Sequence, residues 1–200
     1  MINWVVFDLG NVVLQNTEAL TDLALLLAAD PDETTTAYFA HRTEYDRHSD
    51  PVRYFSAMAT QIGAAAPNAA MIAELVRVDD LGWSVTDPEV LALMADLAES
   101  GISLAVLSNA PSSMGRLIEA QEWATRFRHL VFSGDLGVMK PDAVIFRKLL
   151  ARLEADPGEV AFVDDRADNV AGAIAVGISA LRFTGATQAR QDLRALGLAV

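Results

Sequence analysis

The sequence predicts an α/β fold: a Rossmann-like parallel sheet with helices on both faces and an inserted all-helical cap. Three observations predict it. Strand-length apolar runs recur at Val5–Phe7, Leu104–Leu107, Leu130–Phe132 and Val160–Val163, with a further run at Ala180–Phe183. Helix-like stretches separate the later runs. From about Thr17 to Leu81 the strand pattern is absent and the chain reads as helical throughout.

The first run ends in Phe7-Asp8-Leu9-Gly10-Asn11, so a carboxylate stands where a buried strand stops. Four helices are then expected, at about Thr17–Ala29, Pro31–Arg47, Pro51–Ile62 and Pro67–Val78, each opening near an Asp, Thr or Pro. This sets the domain expectation: residues 1–16 and 82–200 form the α/β core and residues 17–81 the cap. In Pro88–Glu99, apolar residues fall at Val90, Leu91, Met94, Leu97 and Ala98, and Gly101 closes the pattern. Pro141–Leu153 reads as a helix with Pro141 at its first position, and Asn169–Val176 as a helix stopped by Gly177.

Composition narrows the function. The chain has 200 residues, 52% of them hydrophobic, enough for one core with an insert. Its formal net charge of −12 repels phosphate backbones and anionic lipid, so neither nucleic acid nor membrane is an expected partner. It has no cysteine, which removes disulfides and thiol catalysis. The first apolar run lacks a basic flank, so no signal peptide is read, and the longest aliphatic stretch, Leu23–Ala29, is too short to span a bilayer. A cytoplasmic protein is expected. Oligomeric state is not legible.

In an open parallel sheet, ligands bind at the carboxyl ends of the strands. The runs deliver Asp8, then Ser108-Asn109, then the segment Gly134–Pro141 with Lys140, then Asp164-Asp165. Singly, each has a bland explanation: a turn, a helix cap, a solvated lysine, a cap for the helix containing Asn169. Together, at successive strand ends, they make a site. Gathered carboxylates repel, and a hard cation such as Mg2+ removes the conflict; it binds through one or two carboxylates and a substrate phosphate. A carboxylate that attacks phosphorus gives an acyl phosphate, which water then hydrolyses.

These motifs, in this order, resemble those of the haloacid dehalogenase-like superfamily of hydrolases with a small helical cap. Within that superfamily the chain is most similar to bacterial alpha-D-glucose-1-phosphate phosphatases, which also read D-L-G-N, and it is more distantly similar to the phosphatase domain of soluble epoxide hydrolases. The resemblance implies a small phosphorylated substrate, sugar 1-phosphates among the candidates. It implies that Asp8 is the nucleophile and a metal ligand, and that the Gly10 carbonyl and Asp165 also ligate, with Asp164 acting through water. It further implies that Ser108 and the Asn109 amide hold the phosphoryl group while Lys140 pairs with nucleophile and phosphate. Gly10 is the departure, because most phosphatases of this type carry an aspartate there as general acid and base.

In the expected cap, Arg42, Tyr45 and Arg47 are the candidate substrate contacts, set against a solvated helix face; Arg42 and Asp46 form a possible ion pair. Trp83 and Trp123 are expected to pack structurally. Two rival readings stay open: a metal-independent 2-haloacid dehalogenase, and a non-catalytic module binding a phosphometabolite or a partner.

Overall fold

The computed structural model describes residues 1–15 and 19–200. In chain order it contains β1 (Trp4–Phe7), β2 (Leu14–Gln15), α1 (Ala19–Leu27), α2 (Pro31–His48), α3 (Pro51–Gln61), α4 (Ala69–Leu81), β3 (Val85–Thr86), α5 (Pro88–Glu99) and β4 (Ser103–Ser108). There follow α6 (Ser112–Glu119), β5 (Phe127–Phe132), the short α7 (Ser133–Leu136), α8 (Ala143–Leu153), β6 (Val160–Asp164), α9 (Ala167–Ala175), β7 (Ser179–Arg182) and α10 (Ala186–Ala195).

Five strands form one parallel sheet in the order β5-β4-β1-β6-β7. β1 is central because Val5, Val6 and Phe7 are apolar on both faces and wholly buried. Phe7 pairs with Val106 on one side and Val163 on the other, so the carboxyl ends of β4, β1 and β6 lie side by side. One apolar layer packs Val5, Phe7, Val106 and Val163 against α5 and α10; the other packs Val6, Leu107 and Phe162 against α8.

Helices α1–α4 bury their own cluster, including Leu23, Tyr38, Tyr45, Tyr54, Phe55, Met58 and Leu75. The chain enters and leaves this block through an antiparallel pair in which Leu14 faces Thr86 and Gln15 faces Val85. The expected start of the first helix, at Thr17, lies outside the described residues. The block approaches the sheet closely at Gly134, where a Cβ would stand 2.1 Å from Ser49 Oγ and 2.8 Å from the Ser112 nitrogen.

Several expectations shift. The helix read from Pro141 begins at Ala143, because Asp142 accepts from the Val144 N–H at 2.8 Å and is the N-cap; the Lys140–Pro141 bond is cis. β5 starts at Phe127, three residues ahead of the apolar run, and its polar first half, with Arg128 exposed and His129 half-buried, hides it from an apolar pattern. α6, α10 and the β2–β3 pair were not legible as elements. α10 buries only Ala186, Ala189 and Leu193, a stripe too sparse to stand out.

Candidate active site

The local fold explains how one carboxylate is presented at the end of β1. The Asp8 N–H still bonds the Val163 carbonyl at 2.9 Å, so the residue remains on the sheet ladder. The chain then turns on Asn11, whose φ of 57° is one that asparagine tolerates better than most residues. The turn is closed by the N–H groups of Val12, Val13 and Leu14, all bonding the Leu9 carbonyl.

Lys140 arrives from the segment after α7. Its backbone is clamped by the Asn109 side chain, which accepts from the Lys140 N–H at 2.9 Å and donates to the Lys140 carbonyl at 3.0 Å. The lysine is 1% exposed. Its Nζ lies 2.9 Å from Asp8 Oδ1 and 2.6 Å from Asp164 Oδ2, above the Phe162 ring. Gly172 makes this approach possible: a Cβ there would stand 2.6 Å from the Pro141 carbonyl oxygen.

Asp164 ends β6, and both its oxygens are engaged. Oδ2 accepts from Lys140 Nζ and Asn169 Nδ2; Oδ1 accepts from Asn169 Nδ2 and the Arg166 N–H. Among the described residues Asp165 has much weaker ties, a single 3.3 Å bond from Asn11 Nδ2. Carboxylate oxygens of Asp8, Asp164 and Asp165 lie within 4.8 Å of one another. Burial, with the charge of Asp164 adding to it, pushes the Asp8 carboxyl up to about 7 against the pull of Lys140. Three carboxylates against one ammonium leave the site short of positive charge. All the donors are hard oxygens, so the set suits Mg2+.

Of the residues expected from sequence, Asp8, Gly10, Ser108, Asn109, Lys140, Asp165, Arg42 and Arg47 line one cavity of about 640 Å³. Asp164 lies fully buried beside them. Tyr45 is a correction. It is 2% exposed, stacks on Tyr54 at 4.4 Å within the helical core, and does not line the cavity. Thr43, Glu44 and His48 of the same stretch are exposed, as a solvated face would have them, but Arg42 is not free in solvent. Arg42 Nε lies 2.6 Å from Asp46 Oδ1 and its Nη1 2.8 Å from Asp79 Oδ1, with Tyr38 hydrogen-bonded to both Arg42 and Asp79. Burial pulls the guanidinium down, but Asp46 and Asp79 overcome it and hold it well above its ordinary value. Burial pushes Asp46 up to about 6 and, with the charge of Asp79, Asp80 up to about 7.

Sequence reasoning missed the tie from Asn11 to Asp165 and the cavity-lining residues Phe39, Met114 and Met139. Asn169 donates from Nδ2 to both oxygens of Asp164. Trp83 packs against the core, as expected, and also lines the cavity; Trp123 packs edge-on to Phe127.

A model of the haloacid dehalogenase-like hydrolases matches residues 2–177. The chain is 23% identical to a sesquiterpene phosphatase of Aspergillus oryzae, over 96% of this chain and 94% of that one. It is 28% identical to a phosphoglycolate phosphatase of Rhodospirillum rubrum, over 87% and 76%. Among solved structures, a Bacteroides thetaiotaomicron enzyme in complex with magnesium and inorganic phosphate superposes with a TM-score of 0.70 at 16% identity, over 91% and 94%. The L-2-haloacid dehalogenase of Xanthobacter autotrophicus superposes with a TM-score of 0.75 at 20% identity, over 96% and 83%. At such identities the structural likenesses establish the fold alone. Among the described residues no helix is long and apolar enough to cross a membrane.

Proposed function

This chain belongs to the haloacid dehalogenase-like hydrolases, and from that premise we propose a magnesium-dependent phosphomonoester hydrolase of small phosphorylated metabolites with Asp8 as nucleophile. One observation carries the reading: Asp8, Asp164 and Asp165 bring their carboxylates together around the buried ammonium of Lys140, which pairs with Asp8 and Asp164. The phosphatases among its relatives support it.

Asp8, Asp165 and the Gly10 carbonyl would hold the metal. Asp164 serves indirectly, since its oxygens are already taken by Lys140, Asn169 and the Arg166 N–H. Magnesium, when bound, supplies positive charge against both the carboxylates and the phosphate. Asp8 Oδ1 is held by the Leu9 N–H and by Lys140, and among the described residues no donor reaches Oδ2. An Asp8 oxygen attacks phosphorus and the ester P–O bond breaks, the leaving oxygen taking the electron pair. Water then hydrolyses the aspartyl-phosphate, releasing phosphate and restoring the carboxylate. Ser108 and the Asn109 amide contact the phosphoryl oxygens, and Lys140 neutralises the nucleophile and the phosphate in turn. Residues 17–81 act as the cap over residues 1–16 and 82–200, and Arg47 faces the substrate from it.

Gly10 offers no acid to the leaving oxygen, a handicap of about 10²–10⁴-fold where the leaving group is poor. Oxygens that leave readily escape it, and the hemiacetal oxygen of a sugar 1-phosphate is one of these. The rival 2-haloacid dehalogenase attacks carbon and has no use for a metal, so it leaves the carboxylate cluster unexplained. The non-catalytic module likewise leaves unexplained why Asp8 and Lys140 stay paired beneath an open cavity.

The test is phosphate release from a panel of phosphorylated metabolites, with magnesium or with chelator, beside Asp8→Asn. Loss of release in the variant and in chelator is expected. Release that survives both, or metal-independent halide release from 2-haloacids, overturns the reading.

A further inference from the structure

α2 lays two neighbouring rows of side chains along the cavity, each stepping by four residues. One row is Tyr38, Arg42 and Asp46; the other is Phe39, Thr43 and Arg47, and all of them line the cavity. The first row is tied up in the scaffold. Arg42 is paired with Asp46 and Asp79, and the Tyr38 hydroxyl donates to Asp79 at 2.8 Å. The second row stands outside that network: Phe39 and Thr43 are exposed, and Arg47 is half-buried.

Among the described residues the cations lining the cavity are Lys140, Arg42, Arg47 and Arg166. All but one are closely matched by carboxylates. Lys140 has Asp164 at 2.6 Å and Asp8 at 2.9 Å, Arg42 has Asp46 at 2.6 Å and Asp79 at 2.8 Å, and Arg166 has Asp168 at 2.7 Å. Arg47 has Glu44 alone, at 3.8 Å, and Glu44 is 51% exposed and shared with His48 at 3.7 Å. The Arg47 Nε is shielded from water and, among the described residues, has no acceptor. An orphaned donor on a guanidinium carries a cost that an arriving anion removes. The other carboxylates of the cavity are not that anion. Asp46 is taken by Arg42, Asp142 accepts from the Val144 N–H, Asp8 pairs with Lys140, and Asp165 belongs to the carboxylate cluster.

We propose that the substrate carries a second anionic group, a carboxylate or a further phosphate, held by Arg47 and Thr43 while the phosphate to be transferred sits at Asp8. The proposal rests on the phosphatase reading and narrows it to phosphomonoesters of acidic metabolites. The planar fork of arginine suits either anion, with Nε and one Nη donating to two of its oxygens. Thr43, one turn back on the same row, adds a hydroxyl. Specificity therefore lies in the outer row and not in Arg42, although both arginines line the same space. A substrate with no second charge would leave Arg47 unmatched.

Matched esters test this when kcat/KM is measured with magnesium. Phosphate esters of hydroxyacetic, β-hydroxypropionic and γ-hydroxybutyric acid place the carboxylate at increasing reach, and the carboxamide of each keeps the shape without the charge. The carboxamide withdraws electrons more strongly than the carboxylate, so leaving-group chemistry alone would favour the neutral member. Propanediol and butanediol bisphosphates, beside their monophosphates, offer a second phosphate instead. We expect the charged member to exceed its neutral counterpart by about tenfold or more at one reach, the scale of a charge-assisted hydrogen bond. The anion with the larger ratio is the group bound. Arg47→Ala should bring that ratio to near unity, and Arg47→Lys, which keeps the charge but not the fork, should retain part of it. Thr43→Val, at an exposed position where folding is not at stake, should lower the ratio by a smaller factor. A ratio near unity at every reach for both anions overturns the proposal and leaves the phosphatase reading standing. So does a ratio that survives Arg47→Ala. Release of phosphate from none of the esters sinks the phosphatase reading, and this proposal with it.

Discussion

The ammonium of Lys140 and the carboxylate of Asp164 meet at 2.6 Å with neither side chain exposed to water, and Asp8 shares the same ammonium at 2.9 Å. Removing one member of such a group strands the rest, which typically costs about 3–5 kcal/mol. Lys140→Met should therefore lower stability by about that much in chelator, by urea unfolding, and abolish phosphate release. A stability loss under about 1 kcal/mol would mean the pair is effectively solvated.

Magnesium should stabilise the folded protein whether or not turnover occurs. Saturation at 100 times the dissociation constant adds about 2.7 kcal/mol, read as a rise in Tm. Asp165→Asn should remove most of this rise. Among the described residues, only one 3.3 Å hydrogen bond ties Asp165, so its loss in metal-free protein should be small.

Gly172 is where α9 passes the turn that carries Lys140. A Cβ there would fall 2.6 Å from the Pro141 carbonyl oxygen and 3.0 Å from the Phe146 ring. Gly172→Ala should cost about 1–3 kcal/mol by overpacking, and lower kcat/KM by displacing the lysine. Gly158→Ala is the control, since a Cβ at Gly158 meets no atom within 4 Å. Equal behaviour of the two variants would show that the close approach is relaxed in solution.

The two arginines of α2 should separate by experiment. Arg42 is clamped between Asp46 and Asp79, so Arg42→Ala should destabilise by about 3–5 kcal/mol. Among the described residues Arg47 has only a 3.8 Å partner in Glu44, and its side chain is 40% exposed. Arg47→Ala should leave stability within about 0.5 kcal/mol and raise KM. A large stability loss in Arg47→Ala would assign it to the scaffold.

Asp80 makes the fold pH-sensitive. Its folded carboxyl is raised, by burial first and then by Asp79, from 3.8 to about 7, while Ser113 Oγ donates to it at 3.1 Å. Between these values the folded state binds the extra proton. The contribution of Asp80 to stability is therefore fully present below pH 3.8 and declines as pH rises to about 7. Asp46, raised to about 6, acts in the same direction. Asp80→Asn should flatten the slope of unfolding free energy over this window, by at most about 1.4 kcal/mol per pH unit, the value for one proton. A slope unchanged in the variant refutes the assignment.

Where the chain spells out its structure, local chemistry is the reason. Pro88–Glu99 is bounded by its own cap and its own glycine, and sequence and structure agree on both ends. α2 and α3 open on Asp30 and Asp50, whose side chains accept from the first helical N–H groups. β2 and β3 span two residues each and carry no periodicity to detect; only their pairing makes them strands.

The order of Asp8, Ser108, Lys140 and Asp164-Asp165 at strand ends was legible without coordinates, because a parallel sheet sends successive strand ends to one rim. What the helical block does with its side chains was not. Helical spacing puts His41 and Tyr45 on one face, and they do share a small pocket. It does not say that Tyr54 covers that face, nor that Asp79, 37 residues on, buries Arg42. The ties from Asn11 to Asp165 and from Asn109 to Lys140 span 154 and 31 residues of chain, and the approach of Trp83 to Gly10 joins a strand end to the segment leaving α4. Backbone propensities and strand-end chemistry act within a few residues, so the sequence alone determined the elements and the reactive groups. Burial and hydrogen bonding between distant segments depend on which faces meet, and only the tertiary structure decided which of those groups are held and which are open to a ligand.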